Sequence, residues 1–117
     1  MKKLLVVDDN EAAADGLVRL LNALGWETSA LYAGKDVLEH VRADEPDLIF
    51  IDIGMPDMSG HDVIVGLRAH GFTFPAVALT GYGQVEDKEK ALAAGFNAHL
   101  TKPAGMDEFK AVLAELL

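Results

Sequence analysis

Side chains that could do chemistry follow the apolar runs of this sequence. Aspartates follow two of the runs, and a threonine and a lysine follow two others; these residues are Asp8 and Asp9, Asp52, Thr80, and Lys102. Apolar runs of this length are typical of strands buried on both faces of a parallel sheet. In open parallel α/β sheets, ligands bind and chemistry is done at the carboxyl ends of the strands. We therefore expect the functional site at that edge.

The run before Asp52 is the most informative of these. Its four residues, Leu48 to Ile51, are all apolar, and Asp52 is followed by turn residues. The sequence thus predicts a buried central strand that holds a carboxylate at its end.

Helical patterns alternate with the apolar runs. Asn10 is a good N-cap for a first helix, whose stripe of leucines at positions 17, 20, 21 and 24 ends at Gly25. Further helices are predicted from Gly34, from Ser59 or Gly60, from Gln84 to Ala94, and near the end of the chain, with Met106, Phe109, Leu113 and Leu116 buried in the last. Glu27 to Tyr32 suits an outer strand.

This alternation predicts the fold class. Each crossover helix needs a sheet face on which to bury its apolar stripe, so the helices should cover both faces of a parallel sheet. The expected architecture is an α/β sandwich of five β/α units, (βα)5, in a single domain over residues 1–117. Periodicity alone does not give the strand order.

The motifs resemble those of one signalling family. The spacing Asp-x-x-Met-Pro-x-Met-x-Gly from Asp52 to Gly60 is similar to the phosphoacceptor loop of the CheY-like receiver domains of two-component response regulators. The resemblance covers the whole chain, with matches at residues 6–10, 78–81 and 98–103. Residues 81–84 and 94–103 look most like receivers attached to hybrid histidine kinases.

The resemblance implies a fold and a set of site residues. The fold is the flavodoxin-like three-layer sandwich with strand order 2-1-3-4-5, which brings the ends of strands one and three together. Carboxylates so close repel one another unless a cation is present, and a small hard ion such as Mg²⁺ suits them. The implied metal set is Asp9 and Asp52 directly, the Gly54 carbonyl, and Asp8 mainly through water.

The implied chemistry is phosphorylation of Asp52 by a histidine kinase or phosphotransfer protein, reset by hydrolysis. Thr80 would donate to a phosphoryl oxygen, and Lys102 would pair with Asp52 when it is free and with the phosphate when it is occupied. The Lys102–Pro103 peptide is expected to be cis, as in the family. Taken singly, each of these residues also fits a plain turn or strand end.

His99 departs from the family pattern. Many receivers have tyrosine or phenylalanine at this position, where the ring reports phosphorylation on the face formed by helix four, strand five and helix five. One hypothesis is that an imidazole makes the same inward movement together with Thr80 and is neutral when inward, because an apolar pocket disfavours its charged form. The alternative is that His99 points outward in both states and only contacts partners.

Three other functions fit the sequence less well. A haloacid dehalogenase-type phosphatase needs a second aspartate two residues after Asp52, where Gly54 stands. A flavin binder needs a phosphate loop that Asp8 and Asp9 would repel. A degenerate receiver that only binds proteins is disfavoured, because no site residue is missing.

Composition limits partners and location. The net charge is -9 and the basic residues are scattered, so we expect no direct binding of nucleic acid. The apolar runs are far shorter than a membrane span, and there is no cysteine, so we expect a cytoplasmic protein with no membrane association. The predicted state is a monomer or weak dimer, with an unknown output partner.

Overall fold

Strands and helices alternate along the chain. The computed structural model describes residues 2–81 and 85–117. Within them the elements are β1 (Lys3–Val7), α1 (Glu11–Ala23), β2 (Glu27–Leu31), α2 (Val37–Ala43), β3 (Leu48–Asp52), α3 (Gly60–Ala69), β4 (Ala76–Thr80), α4 (Val85–Ala94), β5 (Ala98–Thr101) and α5 (Met106–Leu116). Where helix was predicted to begin at Gly34, a short 3₁₀ turn, Gly34–Asp36, precedes α2.

The described strands form one parallel sheet in the order β2-β1-β3-β4-β5. This confirms the (βα)5 sandwich and the strand order that the family resemblance implied. In the register between β1 and β3, Val7 is paired with Ile51. The next residues along the two strands, Asp8 and Asp52, therefore lie side by side at the carboxyl edge.

The sheet has a separate hydrophobic core on each face. Alternate residues of β1 and β3 point to opposite faces: Leu5 and Ile49 join the core under α2, α3 and α4, while Leu4 and Phe50 join the core under α1 and α5. All these side chains are at most 1% exposed. Continuous apolar runs are needed because both faces of each central strand are covered.

Side-chain caps fix the starts of two helices near the carboxyl edge. Asn10 accepts a hydrogen bond from the Ala13 amide at 3.1 Å, which confirms it as the N-cap of α1. Ser59 caps α3 by accepting from the Asp62 amide at 3.2 Å. Gly25, at φ 99°, follows α1 in the left-handed conformation that favours glycine.

Gly60 lets α3 begin directly against the end of β3. A Cβ at this position would lie 2.8 Å from both the Asp52 carbonyl oxygen and the Ile53 Cα, which are backbone atoms that cannot move aside. The Gly60 amide also donates to the Ile53 carbonyl at 3.1 Å. The glycine of the motif is therefore required by close backbone approach at the base of the phosphoacceptor-like loop, residues 53–59.

Arg68 ties together loops at the opposite edge of the sheet. Its guanidinium donates to the carbonyls of Phe72, Phe74 and Gly95 at 2.7–3.1 Å. It also donates to the Asn97 side chain at 3.0 Å. Burial lowers the pKa of this guanidinium. A side chain of α3 thereby satisfies the Gly95 carbonyl after α4 and two carbonyls of the segment before β4.

Two sequence predictions concern residues that the structure does not describe. Tyr82, Gly83 and Gln84, which carry part of the resemblance to hybrid-kinase receivers and the predicted start of the fourth helix, lie outside the described residues. Among the described residues, no helix has both the length and the apolar character needed to cross a membrane.

Candidate functional site

Three carboxylates meet at the carboxyl edge of the sheet. One oxygen from each of Asp8, Asp9 and Asp52 lies within 4.8 Å of the others. Asp8 is 3% exposed and Asp52 is 9% exposed, whereas Asp9 is exposed to solvent. The β1–β3 pairing brings together the acidic residues that the sequence singled out.

Lys102 supplies a positive charge to this group. Its Nζ lies 2.7 Å from Asp8 Oδ2 and 3.5 Å from Asp52 Oδ1. The lysine was expected to pair with Asp52, and it does so, but its shorter contact is with Asp8. Asp8 is the more deeply buried carboxylate and thus has the greater need of a neutralising partner.

The pKa of Asp52 is raised above its ordinary value. The first cause is burial, which disfavours the charged form, and the nearby negative charge of Asp8 acts in the same direction. Lys102 and the Gly54 amide, which donates to Asp52 Oδ1 at 3.4 Å, act in the opposite direction but do not outweigh burial. A bound cation would stabilise the ionised form of Asp52 by offsetting the negative charges at this edge.

The pKa of Lys102 is also raised. Burial alone would lower it, but the hydrogen bond to Asp8 and the negative charges of Asp52 and Asp8 together outweigh burial. Lys102 is therefore positively charged at neutral pH. One lysine charge against three carboxylates leaves the site with excess negative charge.

The donor set fits a hard divalent cation. Both oxygens of Asp8 already accept hydrogen bonds, from Lys102 at 2.7 Å and from the Asn10 amide at 3.0 Å. This arrangement leaves Asp9 and Asp52 better placed for direct coordination than Asp8. An all-oxygen set of few carboxylates with room for water is the kind that suits Mg²⁺.

Thr80 and His99 contact each other beside this edge. Thr80 is 2% exposed, and its Oγ1 lies 2.5 Å from Nε2 of His99. The half-buried imidazole of His99 therefore contacts the Thr80 hydroxyl in this structure. The backbone of this region is paired as well, since the Lys102 amide donates to the Thr80 carbonyl at 2.8 Å. The Lys102–Pro103 peptide is cis.

Comparison with known proteins identifies the family. The model of the response regulator receiver domain matches residues 4–114. This chain belongs to the response regulator receiver domain family. Receiver domains are signalling domains rather than conventional enzymes.

Among solved structures similar to this receiver domain is the Vibrio cholerae chemotaxis protein CheY4, with a TM-score of 0.92, 28% identity and coverage of 100% of this chain and 99% of that one. Another is the receiver domain of the Francisella response regulator 1452, with a TM-score of 0.92, 28% identity and coverage of 99% and 96%.

Curated relatives of this receiver are response regulators. The transcriptional regulatory protein KdpE of Mycobacterium tuberculosis is 38% identical over 113 residues, which are 97% of this chain and 50% of KdpE. The two-component response regulator PhoP of Pseudomonas aeruginosa is 38% identical over 115 residues, which are 98% of this chain and 51% of PhoP. This chain thus spans about half the length of these relatives.

Sequence reasoning missed one contact of the loop over residues 53–59. Asp57 is an unspecified position of the motif, yet its carboxylate accepts hydrogen bonds from the backbone of the turn before α2. No local pattern in the sequence signals this contact, because it joins residues 22 positions apart.

Proposed function

We propose that this receiver domain is a phosphorylation switch in which Asp52 accepts a phosphoryl group from a histidine kinase or a histidine phosphotransfer protein. The observation that carries the proposal is the group of Asp8, Asp9 and Asp52 at the β1–β3 edge, with Lys102 in contact with Asp8 and Asp52. In the reaction the Asp52 carboxylate attacks phosphorus, the bond to the donor's leaving group breaks, and an acyl phosphate forms. Hydrolysis of that acyl phosphate by water restores Asp52.

Asp9, Asp52 and the Gly54 carbonyl would hold Mg²⁺, with Asp8 acting through water. When bound, the ion supplies positive charge that neutralises phosphoryl oxygens. The occupied oxygens of Asp8 support its indirect role.

Lys102 and Thr80 would bind the phosphoryl oxygens. Because Lys102 is charged and already 3.5 Å from Asp52, it can exchange its carboxylate contact for one to the phosphoryl group. Thr80 ends β4, the strand next to β3, and would donate its hydroxyl hydrogen from the other side.

The partners follow from this chemistry only in part. A phosphodonor kinase or phosphotransfer protein is required, and the output partner would bind the face formed by α4, β5 and α5. KdpE is described as a transcriptional regulatory protein. The expected lack of nucleic-acid binding therefore stays a prediction for these 117 residues and is not extended to any longer protein. The cytoplasmic location, the monomer or weak dimer, and attachment to a hybrid kinase also stay predictions.

Acetyl phosphate tests the proposal directly. With Mg²⁺ present, intact-protein mass spectrometry should detect the addition of one phosphoryl group. Peptide mapping after borohydride trapping should locate it at Asp52. A receiver that gains no phosphoryl mass under these conditions would instead fit the degenerate binding module.

Asp9→Ala is expected to remove Mg²⁺ binding and, with it, phosphorylation, because it deletes the accessible carboxylate of the three. The measurement is an NMR titration with MgCl₂ that follows the Asn10 amide, which donates to Asp8. Glu89→Ala, which removes an exposed carboxylate on α4, is the matched control and should titrate like wild type. Wild-type shifts in the Asp9→Ala variant would mean that the cation binds elsewhere.

His99 and Thr80 form the proposed switch. The Thr80 hydroxyl cannot keep its present contact with His99 Nε2 while it turns toward a phosphoryl oxygen. Phosphorylation would therefore break this contact and let the half-buried imidazole move into the vacated space. The face that contains β5 would change shape as a result.

We expect the pKa of His99 to fall on phosphorylation, since the ring becomes less hydrated and its charged form is disfavoured. Acid should correspondingly oppose the phosphorylated arrangement. The measurement is an NMR titration of His99 with and without beryllofluoride, with Thr80→Val as a control that lacks the hydroxyl contact in both conditions. A pKa that is unchanged or raised by beryllofluoride would reject the inward movement.

A further inference from the structure

We propose that Asp57 is a positioning residue that anchors the loop over residues 53–59 to the turn before α2 and thereby holds the Gly54 carbonyl for metal binding. This inference rests on the proposed role of Gly54 and goes beyond it. It concerns a side chain that does not itself belong to the metal set. The Gly34–Asp36 turn would then help to form the metal site, because its backbone amides bind Asp57.

The anchor consists of hydrogen bonds across two loops. Asp57 Oδ2 accepts from the Lys35 amide at 3.1 Å, and Oδ1 accepts a longer bond from the Gly34 amide at 3.5 Å. These amides open the 3₁₀ turn and would otherwise lack partners within it. The same backbone amides, that of Lys35 first, lower the pKa of the Asp57 carboxyl, so it is ionised at neutral pH.

Close packing accompanies the hydrogen bonds. A Cβ added to Gly34 would lie 3.1 Å from the Met58 carbonyl oxygen and 3.0 Å from Val63 Cγ2. Met55 is 5% exposed and joins the core that contains Val37 of α2. The loop and the turn before α2 thus touch through both backbone and side chains.

The ends of the loop are fixed by the sheet, and its middle is fixed by Asp57. The Ile53 amide donates to the Leu79 carbonyl at 3.0 Å, and Gly60 closes the loop on the Ile53 carbonyl. Gly54 is exposed and lies between these anchored ends and Asp57. Without the Asp57 carboxylate, the loop loses its hydrogen bonds to the turn before α2, and the Gly54 carbonyl that must face the cation is less well oriented.

The test compares Mg²⁺ affinity in four proteins by NMR titration of the Gly54 amide, without any phosphodonor. Asp57→Ala should weaken Mg²⁺ binding by about fivefold to tenfold, in the lower range of energetic coupling between sites. Asp57→Asn keeps one acceptor oxygen and should fall between this variant and wild type. Ser59→Ala removes the α3 cap from the same loop but leaves the Asp57 hydrogen bonds in place, and it should bind Mg²⁺ like wild type.

The remaining readouts separate positioning from general stability. Thermal unfolding without Mg²⁺ should change at least as much in Ser59→Ala as in Asp57→Ala, while only the latter loses Mg²⁺ affinity. Exchange of the Lys35 amide with solvent should quicken in Asp57→Ala. An unchanged Mg²⁺ affinity in Asp57→Ala, or an equal loss in Ser59→Ala, overturns the inference and leaves the proposed function standing. Failure of the wild-type protein to bind Mg²⁺ at these residues overturns both.

Discussion

Asp52→Asn is expected to abolish labelling by acetyl phosphate, with a loss of more than about a thousandfold, because it removes the attacking nucleophile. An amide oxygen at the same position is far less nucleophilic and cannot form the acyl phosphate. The rate is followed by intact-protein mass spectrometry in saturating Mg²⁺. Stoichiometric labelling that persists in this variant would refute the assignment of Asp52 as phosphoacceptor.

The fold of this variant is expected to remain intact, so a loss of labelling can be attributed to the missing nucleophile and not to unfolding. The pKa of Asp52 is raised in the folded protein, so its ionised form is less favourable there than in the unfolded chain. Asparagine removes this cost at neutral pH. Without divalent cations, the melting temperature of Asp52→Asn at pH 7 should therefore equal or exceed that of wild type.

Lys102→Ala is expected to slow phosphoryl transfer by about a hundredfold, in the range found when one donor to a developing negative charge is removed. Mg²⁺ binding should be largely retained, because the carboxylates remain. The relevant comparison is the rate of labelling at saturating Mg²⁺ and acetyl phosphate. Lys110→Ala, which removes an exposed lysine from α5, is the matched control.

Loss of Lys102 also leaves Asp8 buried without its closest partner, so part of the effect could arise from a weaker fold. Lys102→Arg keeps the positive charge and separates the two contributions. We expect this variant to be nearly as stable as wild type and to transfer phosphoryl groups faster than Lys102→Ala. A Lys102→Ala rate equal to wild type would make Lys102 an ordinary turn residue.

The fold could be predicted from the sequence because the residues that are buried are also those that the hydrophobic pattern marks as buried. Strands covered on both faces are apolar along their length, as β3 and β4 are up to the Asp52 and Thr80 that end them, and this leaves little ambiguity. Short-range patterns also gave the Asn10 cap. They failed where packing decides: Met106 was expected to be buried but is 46% exposed, at the first turn of α5.

The residues of the candidate site were predictable, and the family resemblance implied the pairing of Lys102 with Asp52, but the shorter contact of Lys102 with Asp8 was not predicted. Each side chain follows an apolar run, and parallel strands bring such positions to one edge. Whether Lys102 lies closer to Asp8 or to Asp52 depends on differences in burial of the two carboxylates. The contact of His99 with Thr80 and that of Asp57 with the turn before α2 join residues 19 and 22 positions apart. No local pattern encodes such pairs.

The close approach at Gly60 brings the two ends of the phosphoacceptor-like loop, residues 53–59, into contact, so that its backbone forms a closed ring. The Gly60 amide bonds the Ile53 carbonyl, and the missing Cβ lets the two backbones touch. The number of residues between these points is therefore constrained more tightly than their identity. A substitution at an exposed loop position such as Pro56 changes one side chain, whereas an insertion must break the ring's closure and displace Asp52 at its base. Engineering of new specificity in this loop should exchange residues and preserve its length.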